Sequence, residues 1–337
     1  MTVTDQVRTG RQAQPAERTP RAPQQAERAG EHAAEQAEQA PQRPGAPAGK
    51  GAAGIGLLLA LVATVVWSGS FVATRGMADT VPPVQAVFWR WIIAAVAVAP
   101  FAARQAWRQR ALLRRHLGYV SLATLFGVTL YNTLVHQAGL TTSASNMGMI
   151  MAASPVIMAL YSRLGGERLG ARRTFGLLLA AFGVLLLVGD GSIGFDFGAG
   201  DLWMFGAALS FATYSALLKR KPAEIGQLAF LFATFVLGAL MLAPAYAISL
   251  AVQGGFEVAP GSAGQLLYVG VFSSAVAFFA WNKAVSVIGA ARAGVVYYLQ
   301  PVCVAGLGFL LLGEHTGPAQ LLCMALILGG VGLGARR

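Results

Sequence analysis

Apolar stretches of roughly 17–24 residues alternate with short polar breaks from Ala52 onward, each long enough to cross a bilayer as a helix. Ten follow one another, at approximately 53–74, 83–103, 118–139, 143–163, 174–190, 202–219, 226–250, 264–284, 290–312 and 317–334. The pattern predicts an all-α integral membrane protein of ten transmembrane helices. The third and fourth stretches run almost together, parted by a turn near Thr141–Asn146. Residues 1–50 show no apolar run and no helical stripe. They are rich in Gln, Ala, Arg, Glu and Pro, with seven basic residues nearly balancing six acids. Such a segment cannot bury enough surface to offset its chain entropy, which predicts a disordered arm, either a solvated tail or a partner-binding segment.

Composition agrees with the pattern. Of 337 residues, 55% are hydrophobic and only 12% charged, against roughly 25% charged in soluble domains, and the mean hydropathy is +0.58. A soluble enzyme could not bury so much apolar surface under so thin a polar coat. The net charge of +11 raises the question of nucleic acid, and the placement of the charges answers it. With the arm in the cytoplasm, the inside loops, their flanks and the C-terminus hold 16 Lys and Arg residues, whereas the outside loops hold only Arg75. That bias predicts a multi-pass protein of the plasma (inner) membrane with both termini cytoplasmic, contacting lipid and no nucleic acid. Cys303 and Cys323 lie in apolar runs, so neither a disulfide framework nor a metal site is expected, and nothing implies a cofactor.

The second half repeats the first at a nearly constant offset. Arg75 meets Arg220, Pro100 meets Pro244, Pro155 meets Pro301 and Glu167 meets Glu314, at offsets of 144–147. Only nine prolines and eight acids lie beyond residue 50, so these matches carry weight. Five spans per half force the second half to enter the membrane from the opposite side. The expected organisation is a first five-helix repeat at 51–190 and an inverted second one at 201–335, an arrangement common in secondary transporters, with the site where the halves meet.

Two blocks of this chain resemble a known family. One runs from Gly-Leu-Thr-Thr-Ser-Ala-Ser (139–145) through Ser-Pro (154–155) to Gly-Glu-Arg-Leu (166–169). The other runs from Gln-Pro (300–301) to Leu-Gly-Glu (312–314). With Trp67-Ser68-Gly69-Ser70-Phe71 and Arg90, they resemble the EamA domains of the drug/metabolite transporter superfamily over about 51–335. The resemblance implies ten helices in two inverted EamA repeats and the export of small metabolites. It does not name the solute. Glu314-His315-Thr316 departs from the Glu-Arg-Leu run usual at that place, so no shared role for Glu167 and Glu314 follows.

Several side chains are candidates for the substrate pathway. Arg90 lies inside the second span, where an ionised group must face the interior or a wet cavity. It can hold a carboxylate through its planar fork or clamp backbone carbonyls. His136 and Gln137 align with Asn282 and Lys283 as polar pairs at opposite mouths of one pathway, and Asn132 adds a polar position one turn before His136. Trp67, Tyr131, Tyr214, Tyr297 and Tyr298 can line an aromatic cavity for an amphipathic solute or simply pack helices. Gln300 joins the pathway set beside Pro301. Pro155 and Pro301 are expected near mid-helix, freeing the carbonyls of Met151 and Tyr297, as hinges or as ordinary kinks. Gly166 and Gly313 read as left-handed helix ends, after which Glu167 and Glu314 face the N-terminus of the following helix.

The expected function is a secondary transporter exporting small, amino-acid-like or amphipathic solutes by alternating access. No catalytic constellation is expected. A membrane sensor or receptor, or an integral-membrane enzyme, is the alternative, although the four histidines are scattered and lack acidic neighbours at ligand spacing. No span carries a mid-membrane carboxylate, which leaves His136 as the group for a proton as coupling ion, with uncoupled diffusion equally open. Solute identity and oligomeric state are not legible.

Overall fold

A computed structural model describes residues 50–164, 170–188, 198–218, 220–288, 293 and 296–335. The arm read at 1–50 lies outside them apart from Lys50, as do Gly166 and Glu167. Every element among the described residues is helical. Five helices are long and apolar enough to cross a membrane: Gly51–Gly76, Pro83–Arg108, Leu117–Ala138, Gln227–Gln253 and Pro260–Trp281. They fall on the first, second, third, seventh and eighth expected stretches. Local chemistry sets their ends. Helix 83–108 opens at Pro83, whose fixed φ and missing N–H suit a first turn. Helix 300–312 closes at Gly313 with φ +67°, a left-handed cap in which Gly313 N bonds Phe309 O and Glu314 N bonds Gly308 O.

The fourth and ninth stretches, read as single spans kinked by proline, are broken instead. The fourth consists of helix Ala144–Met151, a turn at Ala152–Ala153, and helix Ser154–Leu164. The ninth turns at Tyr298–Leu299 before helix Gln300–Leu312. Each proline thus sits in the first turn of a new helix, where its absent donor costs nothing, rather than in the middle of an old one. The Met151 carbonyl, which Pro155 cannot reach, accepts from the Ser154 hydroxyl. The side chain of Pro155 is outside the described set, whereas Pro301 is buried.

Two further departures from regular helix fall in equivalent places. Leu125–Leu130 in the third stretch and Tyr268–Val276 in the eighth are π-helical. A wider turn disturbs the backbone ladder and turns carbonyls toward neighbours, and such turns are frequent at functional sites.

Packing is mainly between halves. Helix 83–108 lies along helix 227–253, and helix 171–188 along helix 318–335. Helix 50–76 packs on 268–276 and 277–288, while helix 199–218 packs reciprocally on 125–130 and 131–138. In lipid no hydrophobic force draws helices together, so close approach through small residues does the work. Fully buried Ala60, Ala94, Ala102, Ala180, Ala207 and Ala284 supply it.

Candidate functional site

The second π-helical stretch is where several candidates converge. Trp67, on helix 50–76, donates its indole N–H to the Ser273 carbonyl at 3.0 Å. Arg90, on helix 83–108, donates through Nη2 to the Ser273 hydroxyl at 3.3 Å. One residue of the second half therefore receives two groups of the first, through its backbone and its side chain. Arg90 is only 8% exposed, stands 5.4 Å over the Trp91 ring, and keeps a buried Nε without a hydrogen-bond partner. An orphaned guanidinium donor in an apolar interior is costly, and a bound acceptor relieves that cost.

Beside Trp67 three rings close a triangle. Trp67 and Trp281 centroids lie 5.5 Å apart, Trp67 and Tyr297 5.9 Å, and Trp281 and Tyr297 5.7 Å. The tilted and edge-on arrangements match the quadrupole preference of aromatic pairs. Gln300, three residues beyond Tyr297, accepts from the Ser68 hydroxyl through its backbone carbonyl at 3.3 Å. Trp67, Arg90, Tyr297 and Gln300 thus share one interior region bordered by both halves, while Tyr131 packs against Phe211 with ring centroids 5.5 Å apart.

Other candidates lie differently. Asn132 is buried but turns its amide back on its own helix, donating to the Val128 carbonyl at 3.0 Å. His136 is buried too, with Nε2 3.5 Å from the Thr74 hydroxyl. Gln137 is half-buried and Lys283 exposed, while the side chain of Asn282 is outside the described residues. Tyr214 packs over Gly127 and beside Phe211. Ser273, Trp281 and Thr74 join the site although the sequence reading did not select them. A hydroxyl pair, Ser273–Ser274, inside an otherwise apolar span was the available signal for the first of these.

At the end of the bundle that carries Arg75, Glu314 departs from expectation. It does not serve the helix that follows it. Oε1 accepts from the Ala144 N–H at 3.2 Å, the start of helix 144–151 in the other half, and stands 3.8 Å from Arg75 Nε. Arg75 in turn donates to the Gly139 carbonyl at 3.0 Å. The Gly317 N–H, at the next helix, is met by Gln320 instead, at 2.9 Å. The tight cap at Gly313 turns Glu314 across the seam, where a helix N-terminus and a guanidinium both attract a carboxylate. At the opposite end Gln109 Oε1 accepts from Gly226 N at 2.9 Å, and Lys221 Nζ donates to the carbonyls of Pro222 and Ile225. Burial holds the Lys221 ammonium below the usual lysine range, partly opposed by Glu224. Among the described residues no three His, Cys, Asp or Glu side chains are grouped to hold a metal ion.

Comparison with known proteins bears on this arrangement. Residues 54–189 and 198–334 each match the EamA-like transporter family. An uncharacterized transporter of Archaeoglobus fulgidus is 26% identical over 77% of this chain and 89% of its own. A probable terminal-alkyne amino-acid exporter of Streptantibioticus cattleyicolor is 30% identical over 82% of this chain and 93% of its own. A solved crystal structure superposes with a TM-score of 0.58 at 21% identity, over 82% of this chain and 95% of that one, which speaks to the fold alone.

Proposed function

The chain belongs to the EamA-like transporter family, a multi-pass membrane protein of the drug/metabolite transporter superfamily, and from that premise we propose that it exports small amino-acid-like metabolites by alternating access. The reading places ten spans in the plasma membrane as two inverted five-helix repeats, 51–190 and 201–335, with both termini in the cytoplasm. Its solute site is the interior region around Arg90, Trp67 and Tyr297.

The observation that carries the reading is Arg90. A buried guanidinium with Nη2 bonded and Nε orphaned, at the seam of the two halves, suits a carboxylate entering between them. The aromatic triangle beside it offers an apolar wall for the remainder of the solute. A relative named for amino-acid export at 30% identity supports the same class. Ser273 then acts as a placeholder acceptor, holding the guanidinium while the site is empty.

Sealed liposomes test this directly. Vesicles carrying the purified protein and preloaded with amino acids, or with their amide analogues, which lack the carboxylate, release the acids faster than protein-free vesicles do, and faster than the amides. Equal rates for acid and amide remove Arg90 as the solute anchor. In the same vesicles an imposed pH gradient decides whether a proton is exchanged, with His136→Gln as the variant that abolishes the response. Topology is tested by cysteine labelling in cells. Gly261→Cys reacts with an impermeant maleimide from outside and Gln109→Cys does not; equal labelling overturns the ten-span arrangement.

A further inference from the structure

Between the second and third expected spans the chain runs through the short helix Arg110–Arg115. Arg110, Leu113 and Arg114 fall at i, i+3 and i+4, the spacing that gives one helical face. That face, with Trp107 on one side and Val236 and Leu240 of helix 227–253 on the other, borders a groove of about 370 Å³. Its walls are apolar apart from the two arginines. Trp107 is 69% exposed and Leu240 62%, so the groove is open at the surface. Arg110 is held in place: it lies 4.8 Å over the Trp107 ring and donates to the Trp107 carbonyl at 3.2 Å. Neither Arg110 nor Arg114 pairs with a carboxylate of the described residues.

We propose that this groove is a binding site for one anionic phospholipid, with an acyl chain along Val236 and Leu240 and the phosphate held by Arg110 and Arg114. Guanidinium forks match phosphate oxygens in geometry as well as charge. Basic pockets beside transmembrane helices on the cytoplasmic side bind anionic headgroups. The side assignment rests on the orientation proposed above; the site itself does not depend on what the protein transports. A second copy of the chain is a poor occupant, because a self-complementary contact would set two arginine-rich rims against each other.

The test uses the full-length protein, purified in detergent and mixed with phosphatidylglycerol and phosphatidylcholine of identical chains, with retained lipid read by native mass spectrometry. The parent keeps one phosphatidylglycerol in clear preference. The pair Arg110→Gln with Arg114→Gln lowers that preference on the order of tenfold or more. The pair Arg104→Gln with Arg115→Gln removes the same charge nearby and changes it by less than about threefold. Val236→Trp fills the groove with both arginines intact and also loses the lipid; Leu240→Trp, at the more exposed rim, serves if that variant is not monodisperse. Equal losses from the two arginine pairs indicate a diffuse basic surface and overturn the site. So does full retention in the groove-filling variants, or a lipid-independent dimer that Val236→Trp dissociates.

Discussion

Two equivalent junctions between the halves have the same wiring and opposite volumes. In each, the first helix of one half donates a side-chain hydrogen bond to a carbonyl in the π-helical stretch of the other: Trp67 to Ser273 at 3.0 Å, and Ser210 to Phe126 at 2.7 Å. Close contacts beside these bonds exchange their partners. At the first junction Gly69 on the first helix receives Tyr268, whose hydroxyl donates to the Val66 carbonyl at 2.8 Å. At the second, Tyr214 on the first helix lies over Gly127. Gly69 and Tyr214 are 145 residues apart, the offset of Arg75 and Arg220. Duplication has kept the backbone arrangement, while glycine and tyrosine have changed sides. Polar content diverges as well. Helix 83–108 carries Arg90, whereas the matching part of helix 227–253 carries Thr234 and Phe235, the latter packed 4.8 Å from Trp91. A symmetric frame with one charged and one apolar junction can bind a polar solute off the axis.

The largest expected effect breaks that comparison at Arg90. Arg90→Lys replaces a fork with a point charge, and efflux of a carboxylate solute falls on the order of tenfold or more, normalised to folded protein. Neutral solutes fall by much less. At the equivalent place in the other half, Phe235→Leu changes efflux less than about threefold, since it alters apolar volume alone. A uniform loss across solutes that follows melting temperature assigns Arg90 a structural role and dissolves the contrast.

A middle-sized effect sharpens the exchange of volumes. A Cβ at Gly127 falls within 2.4–2.6 Å of Tyr214 ring carbons, whereas a Cβ at Gly69 meets chiefly the Tyr268 hydroxyl, at 2.2 Å. Gly127→Ala therefore costs about 1–3 kcal/mol of stability in detergent. Tyr214→Phe does not rescue it, because the ring itself is the obstacle. Gly69→Ala also destabilises, and Tyr268→Phe relieves it by removing the atom in the way. Thermal melts of the four single and two double variants check this, and rescue at both junctions or at neither denies the exchange.

Why the sequence discloses some of this and hides the rest follows from where each feature gets its partners. Long spans are legible because an apolar run and its proline or glycine ends act locally: Pro83 and Gly313 sit where a reader of the chain alone would put them. The π-helical stretches at 125–130 and 268–276 are not legible, since their displaced carbonyls are satisfied by Ser210 and Trp67, over eighty and two hundred residues away in the chain. Pro155 and Pro301 show the intermediate case. Their disturbance of the helix is readable, but whether it bends or breaks depends on Ser154 answering the Met151 carbonyl and on the turns that precede each proline. Arg90 was legible as an interior charge; its partner Ser273, an ordinary hydroxyl in an apolar span, was not.

The smallest expected effect concerns Glu314, which joins the halves at one end of the bundle. Its carboxylate makes two contacts of different kinds, a hydrogen bond from Ala144 N at 3.2 Å and an ion pair with Arg75 at 3.8 Å. Arg75 is one-third exposed, so solvent screens the ion pair and its share is small. Glu314→Gln keeps an acceptor for Ala144 N and discards the charge, at a cost of about 0.3–1 kcal/mol. Glu314→Ala removes both and leaves the start of helix 144–151 short of an acceptor, at a cost of about 1–2 kcal/mol. Added salt narrows the gap between parent and Glu314→Gln and leaves the gap between Glu314→Gln and Glu314→Ala unchanged. If Gln proves as costly as Ala, the charge dominates and the helix-capping account of the seam is wrong; if neither lowers the melting temperature, Glu314 does not hold the halves together.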